Sequence, residues 1–250
     1  MLTTRVPADW QALQQDVARI LQECGFAVEV ETLVHTVRGD VTVDVYAEES
    51  VDGRLYTILC ECKHWKAHVP QTVIHAFRTI VADSGGNLGY IVSSGGFQSG
   101  AFTAAELSNI RLVTWEEFQM EFTESWFEHH LLPFVADRLD PLLTYTEPLL
   151  PRRFAGLTES EREHFLALKR KYDVFGWLMM TFTPYSRVFA KEGLPKLPLR
   201  ERLKGGATAE QQIPAAVLDA VGYRDFLEAA VAYGDIAIAE FRKALKTDEV

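Results

Sequence analysis

Asp44 stands inside the β-branched stretch Gly39-Asp-Val-Thr-Val-Asp-Val-Tyr-Ala47, and Glu61 and Lys63 stand inside a second apolar stretch, Leu55-Tyr-Thr-Ile-Leu-Cys-Glu-Cys-Lys63. Side chains alternate across a strand, so Glu61 and Lys63 share one face while Cys60 and Cys62 share the other. Two carboxylates and a lysine on a half-buried sheet face are costly unless they pair with one another or hold a cation. Carboxylate oxygens are the donors that hard Mg2+ prefers, with coordination positions left open for water and further oxygens. The two readings, a plain ion-paired cluster and a metal centre, are separated by what surrounds these residues.

The two stretches are joined by a polar turn from Glu48 to Gly53 and read as a hairpin. Ahead of them, Trp10, Leu13, Val17, Ile20 and Leu21 recur at helical spacing within Pro7 to Cys24, closed by Gly25, and Phe26 to Leu33 alternates as a strand. After them, Val69-Pro70 opens a helix with Val73, Ile74, Phe77, Ile80 and Val81 as its apolar stripe. Leu88 to Ser93 reads as a buried strand, Ala101 to Leu107 as a helix, Ile110 to Thr114 as a last strand and Trp115 as the start of another helix. The order αβββαβαβ over about 115 residues predicts an α/β fold with a mixed sheet flanked by helices.

From Glu121 onward the strand pattern stops. Glu121 to Asp140, Thr158 to Thr183 and Ala215 to Lys246 carry helical spacing, and Pro184 to Gln212, rich in Pro, Gly and basic residues, reads as a long loop. The expected division is a domain over 1–120 and an all-α domain over 121–250. A chain of 250 residues, 48% hydrophobic and 24% charged, fits either one large domain or two modest ones. Its net charge of −10 excludes coating of nucleic acid by bulk attraction. Residues 1–120 hold 8 Lys and Arg against 15 Asp and Glu, a net of −7, whereas 152–204 hold 12 against 6, a net of +6. No apolar run is long enough to span a bilayer, and the N-terminus lacks the apolar core of a signal peptide. Three cysteines, with Cys60 and Cys62 too close on one strand to pair, point to reduced thiols and a cytoplasmic setting.

The spacing of Asp44 and Glu61-Cys62-Lys63, between a leading helix that ends in Cys-Gly-Phe and a following helix from Val69, resembles the PD-(D/E)xK nuclease superfamily, and most closely its Mrr-type restriction endonuclease domain. The resemblance covers about Trp10 to Phe118 and includes the strand Gly89-Tyr-Ile-Val-Ser93 with Gly-Gly-Phe after it. It implies a restriction-endonuclease-like fold and phosphodiester hydrolysis. In that chemistry Asp44, Glu61 and the backbone carbonyl of Cys62 hold Mg2+, for which Mn2+ would substitute, and Lys63 orients the attacking water or stabilises the pentavalent phosphate. Gln71, in the first turn of the helix after the motif, occupies a position where relatives place a polar residue facing the metal. Relatives also carry a Glu in the first helix, where this chain has Gln14, with Gln15 and Asp16 beside it.

Other residues are weaker candidates. His64, Trp65 and His68 follow the lysine in a loop, and His64 is a candidate substrate contact; the tetrad spacing of the two histidines without a helix argues against a zinc pair. Asp40 falls on the face of Asp44 or in the turn that leads into the strand. Ser93 to Gly96 form a small-residue loop whose amides either approach phosphate or simply turn the chain. In the second half, Lys169, Arg170 and Lys171, with Arg187, Lys191, Lys196, Arg200, Arg202 and Lys204, offer charge for phosphates or a solvated helical face. Phe175, Trp177, Leu178, Met179 and Met180 read as core or as an interface. The expectation is a Mg2+-dependent endonuclease whose partner is nucleic acid, DNA first, with a homodimer for two-strand cutting, a protein partner on the helical half and no membrane. The alternative is a nuclease-fold protein that binds or assembles without cleaving, and a third reading is a defence effector held inactive by its helical half.

Overall fold

Asp9 sets the start of the first helix: its carboxylate accepts from the Ala12 amide at 2.8 Å, which places helix α1 at Trp10–Glu23 rather than at Pro7. In this computed structural model, which describes residues 1–186, 193–201 and 211–246, the chain separates into two compact units. One is Arg5–Trp126; the other is Met1–Thr4 with Phe127–Val250.

In the first unit α1 is followed by β1 (Ala27–Thr36), β2 (Gly39–Val51), β3 (Arg54–Lys63), α2 (Gln71–Ser84), β4 (Leu88–Ser93), α3 (Ser99–Ala105), β5 (Ile110–Thr114) and α4 (Trp115–Trp126). The five strands pair in chain order, β1-β2-β3 antiparallel and β3-β4-β5 parallel, which is the mixed sheet expected. The β2–β3 turn is shorter than the sequence indicates. Asp52 and Gly53 alone make it, both with positive φ, and Glu48 to Ser50 continue the strand because the far end of the hairpin is solvated on both faces.

Helices α2 and α3 cover one face of the sheet, where Ile74, Phe77, Val81, Ala101 and Ala104 pack with Leu59, Ile91 and Ile110. Each large apolar side chain buried this way contributes about 1.5–3 kcal/mol. Gly89 permits the approach, since a Cβ there would lie 2.6 Å from Ile110 Cδ1 and 2.9 Å from Phe77 Cε1. Helices α1 and α4 cover the other face, with the Tyr90 ring edge-on to Phe118 at 5.5 Å and the Trp126 indole donating to Glu23 at 2.6 Å.

The second unit is helical, with no strand among its described residues. A π-helical turn, Phe127–Leu131, precedes α5 (Leu132–Arg138), α6 (Asp140–Thr146), α7 (Glu159–Thr181), α8 (Ala215–Leu218) and α9 (Tyr223–Leu245). Thr158 and Glu161 form a reciprocal capping box at the start of α7. Two helices expected to be continuous are broken. The span Glu121 to Asp140 is interrupted by the π-helical turn and at Leu139, after which α6 starts with Pro141 in its first turn, and the span Ala215 to Lys246 opens at Asp219, whose carboxylate receives Arg200. The aromatic core joins Phe165, Tyr172 and Phe175 to Tyr233 and Phe241. Arg187, Lys191, Arg202 and Lys204 of the expected basic loop lie outside the described residues. No helix among the described residues is long and apolar enough to cross a membrane, and Cys24, Cys60 and Cys62 are all free and buried.

Candidate active site

Asp44 sits at a gap in two ladders. On the β1 side, Glu31 takes a left-handed conformation (φ 53°) and drops out of the pairing between Val30↔Val45 and Thr32↔Val43. On the β3 side the Cα pairing ends at Val45↔Cys60. Side-chain groups fill both openings. The Asp44 carboxylate accepts from the Cys62 amide at 2.7 Å, standing in for a strand partner. Gln14, on α1 and 2% exposed, donates its side-chain amide to the Asp44 carbonyl at 2.8 Å. Gln14 is therefore a neutral brace on the backbone of Asp44.

The parallel register Glu61↔Ile91 and Lys63↔Ser93 sets both charged residues at the carboxyl ends of β3 and β4, the end at which parallel sheets present ligand sites. The Glu61 carboxylate pairs with the Lys63 ammonium, with 22% and 17% of the two side chains exposed. Burial pushes the Glu61 pKa up, the Lys63 hydrogen bond opposes this, and the charge of Asp44 reinforces it. The two carboxylates thus act on each other, with one ammonium paired to Glu61. Burial also pushes the Cys60 and Cys62 thiols up, so both stay protonated core side chains.

The loop after Lys63 is pinned to the loop after β4. Ser94 donates its amide to the Lys63 carbonyl at 3.1 Å, and Val69 donates to the Gly96 carbonyl at 2.9 Å. The small residues of Ser93 to Gly96 serve this contact. The Gly95 amide bonds the Ser93 hydroxyl at 3.2 Å, and that hydroxyl donates to the Gly96 carbonyl at 3.1 Å. The amides of Ser94 and Gly95 are therefore occupied by the protein itself.

Other candidates fall elsewhere. The Gln71 side chain, in the first turn of α2, is exposed, lies against Gly100 and makes no hydrogen bond among the described residues. The His64 ring contacts the Pro7 carbonyl at 3.2 Å, and Asp40 lies in β2 rather than in the turn before it, paired across the ladder with His35 of β1. Lys169 donates to the carbonyls of Thr146, at 2.9 Å, and Glu147, closing the end of α6. Lys171 pairs with Glu240 at 2.9 Å and lies over the Tyr172 ring, while Arg170 is exposed. Phe175 and Met179 are core, as the helical spacing indicates, and Trp177 is 78% exposed.

Among the described residues no three His, Cys, Asp or Glu side chains converge as a metal cage. That excludes a closed zinc-type site there and leaves a two-carboxylate set. Asp44 and Glu61 each spend one oxygen on an internal partner, keep another, and carry more negative charge than Lys63 balances. Such hard donors fit Mg2+ or Mn2+, which keep most of their coordination for water and phosphate oxygens.

Residues 7–121 match a family model described as a restriction endonuclease, of the Mrr catalytic type. Among solved structures, a crystal structure of a protein of unknown function, AF1548, aligns with 66% of this chain and 99% of its own at 21% identity, with a TM-score of 0.39. No curated protein matches the chain.

Proposed function

From the premise that residues 7–121 are an Mrr-type restriction-endonuclease-like domain, we propose that the protein is a divalent-metal-dependent endonuclease acting on DNA, with its centre at Asp44, Glu61 and Lys63. The observation that carries the reading is the pair of half-buried carboxylates at a ladder gap, under-compensated by one lysine. Asp44 and Glu61, with the carbonyl of Cys62, would hold Mg2+ or Mn2+. The ion, when bound, polarises the scissile phosphate and lowers the pKa of a water. Lys63 leaves its Glu61 partner to face the phosphate and the charge that develops on it. Gln14 and the Cys62 amide hold Asp44 in register from either side. Gln71 has a lesser place in this account: an exposed residue able to receive substrate rather than a metal contact.

The helical unit is proposed to engage a partner or a feature of the substrate. Its exposed Arg170 is available for this, whereas Lys169 and Lys171 are committed internally. The second reading, a nuclease fold that binds without cutting, draws support from Gln14 standing where relatives carry an acidic ligand. A Mg2+ and Mn2+ titration followed by thermal melting separates the two. Binding at one hundred times Kd adds about 2.7 kcal/mol to the wild type, and Asp44→Asn should abolish that gain. Equal melting of wild type and variant at every metal concentration would refute the metal centre.

A further inference from the structure

Trp65 follows the motif lysine by two residues, and its indole is 43% exposed with the Lys63 ammonium 5.4 Å from the ring centroid. An exposed tryptophan on a loose loop would mean little, but this loop is fixed at several points. Lys63 and Val69 are hydrogen-bonded to Ser94 and Gly96 at 3.1 and 2.9 Å, and the Val69 carbonyl takes the Gln98 amide at 3.0 Å. Residue 95 must be glycine, because a Cβ there would lie 2.2 Å from the Trp65 carbonyl oxygen. The backbone beneath the indole is therefore braced while the ring itself stays partly exposed beside the proposed phosphate-binding lysine.

The charge carried by this unit points the same way. Arg19, Arg38, Arg54 and Arg111 are paired with Glu23, Asp83, Asp52 and Glu121, and Arg78 donates to the Ala104 carbonyl. Lys66, next to Trp65 and exposed, makes no ion pair among the described residues. Residues 1–120 carry a net charge of −7, so this part of the chain has little electrostatic hold on a long phosphate backbone. A π-face flanked by Lys63 and Lys66 instead matches one nucleotide, its phosphate on the lysine and its base on the ring.

We propose that Trp65 is a stacking platform for the nucleobase beside the scissile phosphate, and that the preferred substrate carries an unpaired nucleotide there, as in a single strand, a flap or a junction. Within a duplex both faces of a base are already covered by its neighbours, so the indole could stack only by unstacking them. The proposal rests on the nuclease reading for the position of the phosphate, and binding is measured apart from cleavage for that reason.

The test uses the full chain carrying Glu61→Gln, with and without Trp65→Ala or Trp65→Phe, titrated with a fluorescently labelled single-stranded oligodeoxynucleotide and with its blunt duplex. Trp65→Ala should raise Kd for the single strand about tenfold, the size of one lost base stack. Trp65→Phe should recover most of that loss, and the duplex, the weaker ligand throughout, should change less than twofold. Equal loss on both ligands, no loss on the single strand, or tighter binding of the duplex by the parent would each overturn the proposal. Cleavage by the otherwise wild-type protein is scored separately. Cleavage that Trp65→Ala leaves unchanged on single-stranded DNA removes the stacking role and spares the nuclease reading. Absence of cleavage with the binding pattern intact does the reverse.

Discussion

Replacing Gln14 by leucine removes one hydrogen bond at nearly constant volume and so isolates what the brace on Asp44 is worth. Gln14 is 2% exposed, and its amide is 2.8 Å from a carbonyl at a gap in the β1–β2 ladder, so no strand neighbour replaces the donor. A buried carbonyl left without its donor costs about 1–3 kcal/mol. Taking about 2 kcal/mol, and about 2–4 °C per kcal/mol for a chain of this length, the variant should melt about 4–8 °C below the wild type in the absence of metal. The carbonyl belongs to the residue whose carboxylate caps Cys62, so the metal-dependent rise in Tm should also shrink. Gln14→Glu sets a carboxylate against that carbonyl in a buried position and should cost more than leucine. Differential scanning fluorimetry with EDTA and with Mg2+ measures both effects. A Gln14→Leu protein that melts within 1 °C of the wild type and keeps its full metal shift would refute the brace.

Three more outcomes are expected elsewhere in the chain. Glu61 has its folded pKa raised above the ordinary 4.5 by burial, so the folded state holds its proton more tightly than the unfolded chain and loses stability as pH rises through that interval. Melting in EDTA from pH 4 to 8 should therefore show the wild type falling relative to Glu61→Gln above about pH 4.5, whereas parallel curves would contradict the shift. Gly95→Ala sets a Cβ 2.2 Å from the Trp65 carbonyl and should destabilise by about 1–3 kcal/mol, read by urea melting. In the helical unit Gly176→Ala drives a Cβ to 2.1 Å from Thr146 Oγ1. That clash should outweigh the gain of about 1 kcal/mol in helix propensity, and a more stable variant would contradict the packing of α6 on α7.

The mixed sheet and the order of elements along the chain were legible because each strand carried a signal of its own: alternation in Phe26 to Leu33, an apolar run in Leu88 to Ser93, and β-branched arms around Asp44 and Glu61. Boundaries were less legible where a single side chain decides them. Asp9 starts α1 three residues after Pro7, and the β2–β3 turn contracts to Asp52-Gly53 because solvated strand ends tolerate Glu48 and Glu49. Of the candidate site, the shared face of Glu61 and Lys63 follows from the period of a strand alone. The bond from Asp44 to the Cys62 amide does not, since it depends on the β2–β3 pairing ending at Val45↔Cys60, and no pattern in the two β-branched arms announces where that ladder stops. The role of Gln14 was hidden for a related reason: helical spacing puts it near the sheet, but only the gap at Asp44 gives its amide a carbonyl to meet. The Ser93 to Gly96 loop did carry a signal, consecutive glycines after a buried strand, and what Gly95 accommodates is the backbone of Trp65. The basic run Lys169 to Lys171 shows the opposite case, in which charge that reads as a phosphate surface is largely spent on a helix end and on Glu240.

The central claim is that Asp44, Glu61 and Lys63 form a hydrolytic centre, and cleavage by a Lys63→Ala protein tests it most directly. Lys63 is partly exposed and makes its ion pair at the sheet's end, so its removal should leave the fold intact by circular dichroism. The account predicts cleavage of DNA by the wild type with Mg2+ or Mn2+, none with EDTA, and a loss of at least a hundredfold in kcat/KM for Lys63→Ala, the scale of one lost electrostatic stabiliser in the transition state. Cleavage by folded Lys63→Ala at the wild-type rate would contradict it.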